Sequence, residues 1–147
     1  MTRHPSLVPL SREHHGALIL ARLLQKGAPA YKGLPEDTAG KAAYATQFYQ
    51  DELIPHFEEE EKMLKLVSGV KGTLDSMIQI ITGEHRNLTA GFLAIPEHTD
   101  LPNHLHKLGK ALEAHVRKEE RELFPLIEVS CDAEQLAAIA QLLSPHS

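Results

Sequence analysis

The sequence predicts an all-α fold, an antiparallel up-down-up-down four-helix bundle followed by a short C-terminal fifth helix. Three observations carry the prediction. Apolar residues recur at the period of a helix face over four long segments, and no segment shows the two-residue alternation of a strand. Of the 147 residues 42 % are hydrophobic, only 5 % are aromatic and none is Trp, which suits an aliphatic helical core. Connections marked by Gly and Pro are short enough to make successive helices neighbours. A chain of this length forms a single domain, 1–147, that buries about two thirds of its unfolded surface.

Residues 1–10 read as an irregular arm, because Pro5 and Pro9 oppose helix. Ser11 is placed to cap a first helix over about 11–27, ended by Gly27 and Pro29. Its inward stripe is Leu10, His14, Ala17, Leu18, Ala21 and Leu24, whereas His15 is in step with Arg22 and Lys26 and faces water or a polar seam. After a Gly/Pro-bearing loop over about 28–35, Glu36 and Asp37 suit the start of a second helix, where carboxylates oppose the dipole. This helix runs to about Val67, with Ala45, Tyr49, Leu53, His56, Glu60, Met63, Leu64 and Val67 on one face. Pro55 lies inside it and predicts a kink just before His56.

Thr73 caps a third helix over about 73–94, with Leu74, Ile78, Ile81, His85, Leu88 and Phe92 in step. Pro102 suits the first turn of a fourth helix, with Asp100 or Leu101 as the cap. It runs to about Glu128 with Leu108, Ala111, Leu112, His115, Glu119, Leu123 and Leu126 inward, so the bundle spans about 11–128. Pro125 predicts a second kink or an early end. Asp132-x-x-Gln135 is a capping box for the fifth helix, about 132–143, which Ser144-Pro145 closes.

Each long helix thus carries one His on its inward stripe: His14, His56, His85 and His115. The second and fourth add a Glu one turn later, and aligned on their histidines both read H-x-x-x-E-E-x-x-L. Residues i and i+4 share a helix face, so His56 with Glu60 and His115 with Glu119 form two imidazole–carboxylate pairs. Glu13-His14 and Glu84-His85 mirror each other in the same way, which is a helix pair used twice. Neutral imidazole and carboxylate suit iron or manganese, and zinc is a possible substitute. Two neighbouring dications repel, so bridging carboxylates are needed. Glu60 and Glu119, one from each half, fill that role, and each ion then has two His and two bridging oxygens. Glu120 is the alternative bridge.

The formal net charge of −5 gives no sign of a nucleic-acid surface. The single Cys131 excludes an internal disulfide and fits a reducing, cytoplasmic compartment. The first ten residues hold no apolar signal core, and no apolar run is long enough for a membrane span.

The segments LSREHHGAL, ELIPHFEEEEKML, GEHRNL and HVRKEERELFPLIE resemble the hemerythrin-like (HHE cation-binding) family, over about Leu10 to Glu128. The resemblance implies a non-haem di-iron centre, two iron ions inside the bundle, held by His14, His56, Glu60, His85, His115 and Glu119. It implies a small-molecule ligand: dioxygen, nitric oxide or peroxide. Oxygen-carrying members have a second His on the third helix, where this chain has Thr89, and His-x-x-x-x-Asp on the fourth, where it has Glu120. A centre short of one His leaves open positions on the ions. That favours sensing, scavenging or iron handling over oxygen transport, and a binding protein over a dedicated enzyme. A di-iron peroxidase or oxidase, and a metal-dependent regulatory module, are the alternatives.

Other candidates read as ordinary surface or core. Glu58–Glu61 reads as a solvated acidic face, with an iron entry path as the alternative. Glu13 and Glu84 could orient the ligand imidazoles, but each lies beside a His and points elsewhere on its own helix, which favours surface charge. His98, His104 and His106 have the spacing of a surface metal site but read as exposed histidines. Tyr49 is either a core residue or a hydrogen-bond donor near the metals. Cys131 is structural.

Overall fold

The computed structural model describes residues 2–144, and every regular element among them is helical. The arm is not irregular. Pro5–Leu7 forms a 3-10 turn that leads directly into α1, Val8–Leu23. Pro5 and Pro9 each sit in a first turn, where proline's missing N–H would have had no partner, so they start helix rather than oppose it. Ser11 therefore lies inside α1, and its hydroxyl bonds the Glu120 carboxylate at 2.8 Å instead of capping. The helix ends at Leu23, ahead of Gly27, which takes a φ of 77°.

The second bundle helix starts as α2, Thr38–Phe48, where the Asp37 carboxylate accepts from the Gly40 N–H at 3.2 Å. It continues through a π turn, Tyr49–Leu53, into α3, Ile54–Leu66. The third is α4, Gly72–Leu93, and Thr73 lies in its first turn rather than at the cap. The fourth repeats the plan of the second: α5, Leu101–Lys118, a π turn Glu119–Leu123, and α6, Phe124–Ser130. At Pro55 and Pro125, where the sequence predicts a break in regularity, a wide turn precedes each proline and absorbs its missing donor. One extra residue per turn shifts the helix face. Beyond Glu119 the buried residues are Leu123, Phe124 and Ile127, while Leu126 is only half-buried. Ala111 is exposed, because the stripe of α5 is centred on Leu105, Leu108, Gly109 and Leu112. The capping box opens α7, Ala133–Leu143, as expected: the Gln135 N–H donates to the Asp132 carboxylate and the Asp132 N–H to the Gln135 side chain, both at 2.8 Å. Pro145 lies outside the described residues.

The core falls into two apolar clusters. One holds Ala17 and Leu20 with Leu53, Phe57, Leu88, Phe92, Leu112 and Val116; Tyr49 belongs to it, stacked on Phe92 at 5.1 Å. The other holds Leu10, Met63, Val67, Ile81, Leu123 and Ile127, with Leu136 and Ile139 of α7 and the buried Cys131. The second cluster takes residues before the histidine from the first and third helices, and residues after it from the second and fourth. Successive helices therefore run in opposite directions, and the four histidines lie at one level between the clusters.

Candidate metal centre

Between the clusters lies a polar layer sealed from water. His14, His85 and His115 are 2 % exposed, His56 5 %, and Glu60 and Glu119 0 %. The i+4 pairs meet as their spacing requires: His56 Nε2 is 3.3 Å from Glu60 and His115 Nε2 is 3.2 Å from Glu119. Each carboxylate is also approached from the other half. His85 Nε2 lies 2.7 Å from Glu60 Oε1, and His14 Nε2 2.8 Å from Glu119 Oε1.

Two groups of donor atoms result, each within 4.8 Å throughout: His14, His56, Glu60 and Glu119, and Glu60, His85, His115 and Glu119. All six residues singled out in the sequence come together, and the two Glu belong to both groups. Glu120 belongs to neither. His98, His104 and His106 form no such group among the described residues. His98 stacks on His104 at 4.1 Å, and His104 Nε2 is engaged with the Gly91 carbonyl at 2.7 Å.

The donor set fits a cation. Both Glu60 oxygens, Glu119 Oε2 and the Nε2 atoms of His85 and His115 are buried with no hydrogen-bond partner of acceptable geometry. Orphaned polar atoms in an apolar interior are costly, and positive charge placed among these five would answer all of them.

The electrostatics point the same way. Burial opposes charge on His56, but its hydrogen bond to Glu13 and the close carboxylates of Glu60 and Glu119 outweigh it and lift its pKa to about 10. His85 is lifted against burial to about 10 by Glu119 and Glu60, and His115 to about 9 by Glu119 and Glu84. His14 is raised likewise, against burial, by Glu119 and Glu120. Burial pushes the Glu119 carboxyl upward, yet its hydrogen bonds and the nearby imidazoles hold it well below the usual range. A layer that attracts protons this strongly is one built for positive charge.

The outer nitrogen of every histidine is taken by a carboxylate from the adjacent helix. Nδ1 of His56 is 2.6 Å from Glu13, Nδ1 of His85 2.8 Å from Glu61, Nδ1 of His115 2.7 Å from Glu84, and Nδ1 of His14 2.5 Å from Glu120. A carboxylate only accepts, so Nδ1 carries a hydrogen, and it is Nε2 that gives up its proton and offers a lone pair to the centre when a metal binds. The ring closes on itself: each helix orients the histidine of the next, and the fourth returns to the first. Phe57 stacks on His85 at 4.3 Å and Phe124 on His14 at 5.5 Å, fixing two of the ring planes.

For Glu13 and Glu84 the structure thus takes the less favoured alternative, orientation of an imidazole rather than surface charge alone, and Glu61, though still 43 % exposed, also holds a histidine. A residue beside a histidine points away from it on its own helix, and for that reason it reaches across to the neighbouring one. The repeat held the signal, since Glu13 and Glu84 precede matched histidines while Glu61 and Glu120 follow matched glutamates. His15 is exposed, as its register requires.

The Hemerythrin HHE cation binding domain model matches residues 7–127. The chain belongs to that family. The match runs from the end of the 3-10 turn to Ile127 of α6 and so takes in nearly all of the four-helix bundle. No curated protein and no solved structure gives a significant match. Cation binding is the activity the family description carries, and the buried His/Glu layer is where this hemerythrin-like domain can hold a metal. Among the described residues no helix is long and apolar enough to cross a membrane.

Proposed function

We propose that this protein is a non-haem di-iron protein that binds or responds to dioxygen, nitric oxide or peroxide, or handles iron, in a reducing cytoplasmic setting. One observation carries the reading: two four-residue donor groups share Glu60 and Glu119. His14 and His56 would hold one ion, His85 and His115 the other, and the two carboxylates both. Bound iron supplies redox chemistry toward small oxygen and nitrogen species, and manganese or zinc suits the same donors without the same reactivity.

The chain's own residues set the terms. Glu60 and Glu119 offset the charge of two close dications, the four outer carboxylates fix the imidazoles, and the apolar clusters exclude water. The test is metal analysis of protein purified without oxygen, followed by Mössbauer spectroscopy. Two irons per chain in a coupled pair is the expected result; one iron, or two magnetically independent ones, overturns the reading.

A second reading, a di-iron peroxidase or oxidase, draws on a cavity of about 310 Å³ against His85, walled by Phe57, Thr89, Ala90 and Leu93. Catalytic turnover of hydrogen peroxide, lost on His115→Ala, would favour it.

A further inference from the structure

The four outer carboxylates are not alike. Glu120 is pinned by Ser11 Oγ at 2.8 Å and by Arg3, whose guanidinium also donates to the Glu120 carbonyl at 2.6 Å and lies 5.3 Å over the Phe124 ring. Glu84 is pinned by Lys118 Nζ at 2.6 Å. Both are well covered, at 29 % and 26 % exposure. Glu13 and Glu61 are 45 % and 43 % exposed, and among the described residues each has only its histidine as a side-chain partner. Arg12 and Arg86 stand near them but pair with neither.

The two exposed pairs open onto space. A cavity of about 300 Å³ reaches His56 past Glu13, Glu52 and Gly16, and the cavity of about 310 Å³ reaches His85 past Glu61. Both lie beside α3. Each donor group thus has one histidine locked from behind by a cation-held carboxylate, and one whose carboxylate faces water: His14 with His56, and His115 with His85.

We propose that Glu13 and Glu61 are capture and release gates for divalent cations, and that Glu84 and Glu120 are fixed anchors. The inference rests on the metal-binding reading above. At the locked seams the carboxylates are held in ion pairs, Glu120 with Arg3 and Glu84 with Lys118, so they are not free to leave Nδ1 for a cation. At an open seam a hydrated ion meets the exposed carboxylate first. That carboxylate lets go of Nδ1 to bind the ion, its imidazole is freed to swing, and the ion passes inward to Nε2 and the waiting oxygens of Glu60 or Glu119. Release follows the same path in reverse. The carboxylate then returns to Nδ1 and holds the loaded imidazole in place.

The test uses the full-length metal-free chain and cobalt(II) alone, followed by stopped-flow absorption for uptake and a chelator chase for release. In Glu13→Gln/Glu61→Gln, uptake at low salt is expected to slow about tenfold, because the capturing charge is gone. Release slows too, and the salt dependence of uptake flattens. Glu84→Gln and Glu120→Gln are the comparison: they loosen an anchored imidazole, so release quickens and uptake keeps its salt dependence. If the double variant instead releases faster and keeps the wild-type salt dependence, Glu13 and Glu61 only orient their histidines and the gate is overturned. Wild-type protein that takes up no cobalt overturns the metal reading itself, a result distinct from normal stoichiometry with unaltered gating.

Discussion

Glu119 and Glu120 are adjacent in the chain and hold opposite nitrogens of one imidazole. His14 places Nε2 2.8 Å from Glu119 and Nδ1 2.5 Å from Glu120. The π turn that begins at Glu119 lets consecutive side chains straddle the ring, one inside the layer and one outside. The two positions therefore separate in a metal titration. Glu119→Gln removes an oxygen donor common to both groups, and stoichiometry is expected to fall from two ions per chain to one or none. Glu120→Gln keeps both ions, with affinity about 10–100-fold weaker, as for other groups that orient a metal-binding histidine. Equal loss in the two variants would mean that Glu120 also ligates.

The helices and the six inward residues were legible because period and spacing are properties of single helices. What a helix does at a proline was not, since Pro55 is compatible with a regular helix missing one bond or with a π turn. The choice depends on keeping Leu53 and His56 on one packed face. The outer carboxylates were legible at best as an alternative, for a related reason. Glu13, Glu61, Glu84 and Glu120 act on the next helix, and helix-face arithmetic assigns each only a direction on its own. Proline at the chain start misled in the opposite sense, because Pro5 and Pro9 are hostile to a helix interior and favourable in its first turn.

The raised imidazole pKa values fix how the metal-free protein responds to pH. His56 and His85 titrate near 10 and His115 near 9 in the fold, against 6.5 for a free side chain. Between these limits the folded chain binds more protons than the unfolded one, so stability falls as pH rises. The contribution is fully present below about pH 6.5 and gone above about pH 10. Metal must displace the same protons, so affinity runs the other way and increases with pH. Chelator-treated protein is therefore expected to unfold at lower urea at pH 9 than at pH 6.5, with the gap narrowed or reversed once metal is restored. Metal-free stability that is flat or rising across this range would contradict the charged-imidazole picture.

Close helix packing supplies a prediction independent of metal. A Cβ at Gly109 would sit 2.5 Å from the Ala21 carbonyl oxygen and 3.0 Å from Leu24 Cβ, so α1 and α5 must part to admit it. Gly109→Ala is expected to destabilise the fold by about 1–3 kcal/mol in urea denaturation, despite alanine's better helix propensity. At Gly91 the obstacle is the tip of the Leu108 side chain, 2.7 Å away, which can rotate aside. Gly91→Ala should therefore cost less, and a larger loss there than at Gly109 would show that the α4–α5 seam is the more rigid one.

Thr89 is the position where this chain departs from the oxygen-carrying pattern, and the structure gives it a definite setting. It is half-buried one turn beyond His85 on α4, in the wall of the cavity that reaches that imidazole. A hydroxyl and a methyl there leave the approach to the His85–His115 side of the layer open. Thr89→His would put a ring into that space one turn from His85, filling the approach and supplying the second histidine of the oxygen-carrying pattern. The expected outcome is retention of two ions with slower association of nitric oxide with the reduced, iron-loaded protein. The slowing should be about tenfold, or ~1.4 kcal/mol at the barrier, read by stopped-flow absorption. An unchanged rate at full iron content would place the approach of small ligands on the other side of α3, through the cavity at Glu13 and His56, and Glu13→Leu would then be the variant that slows it.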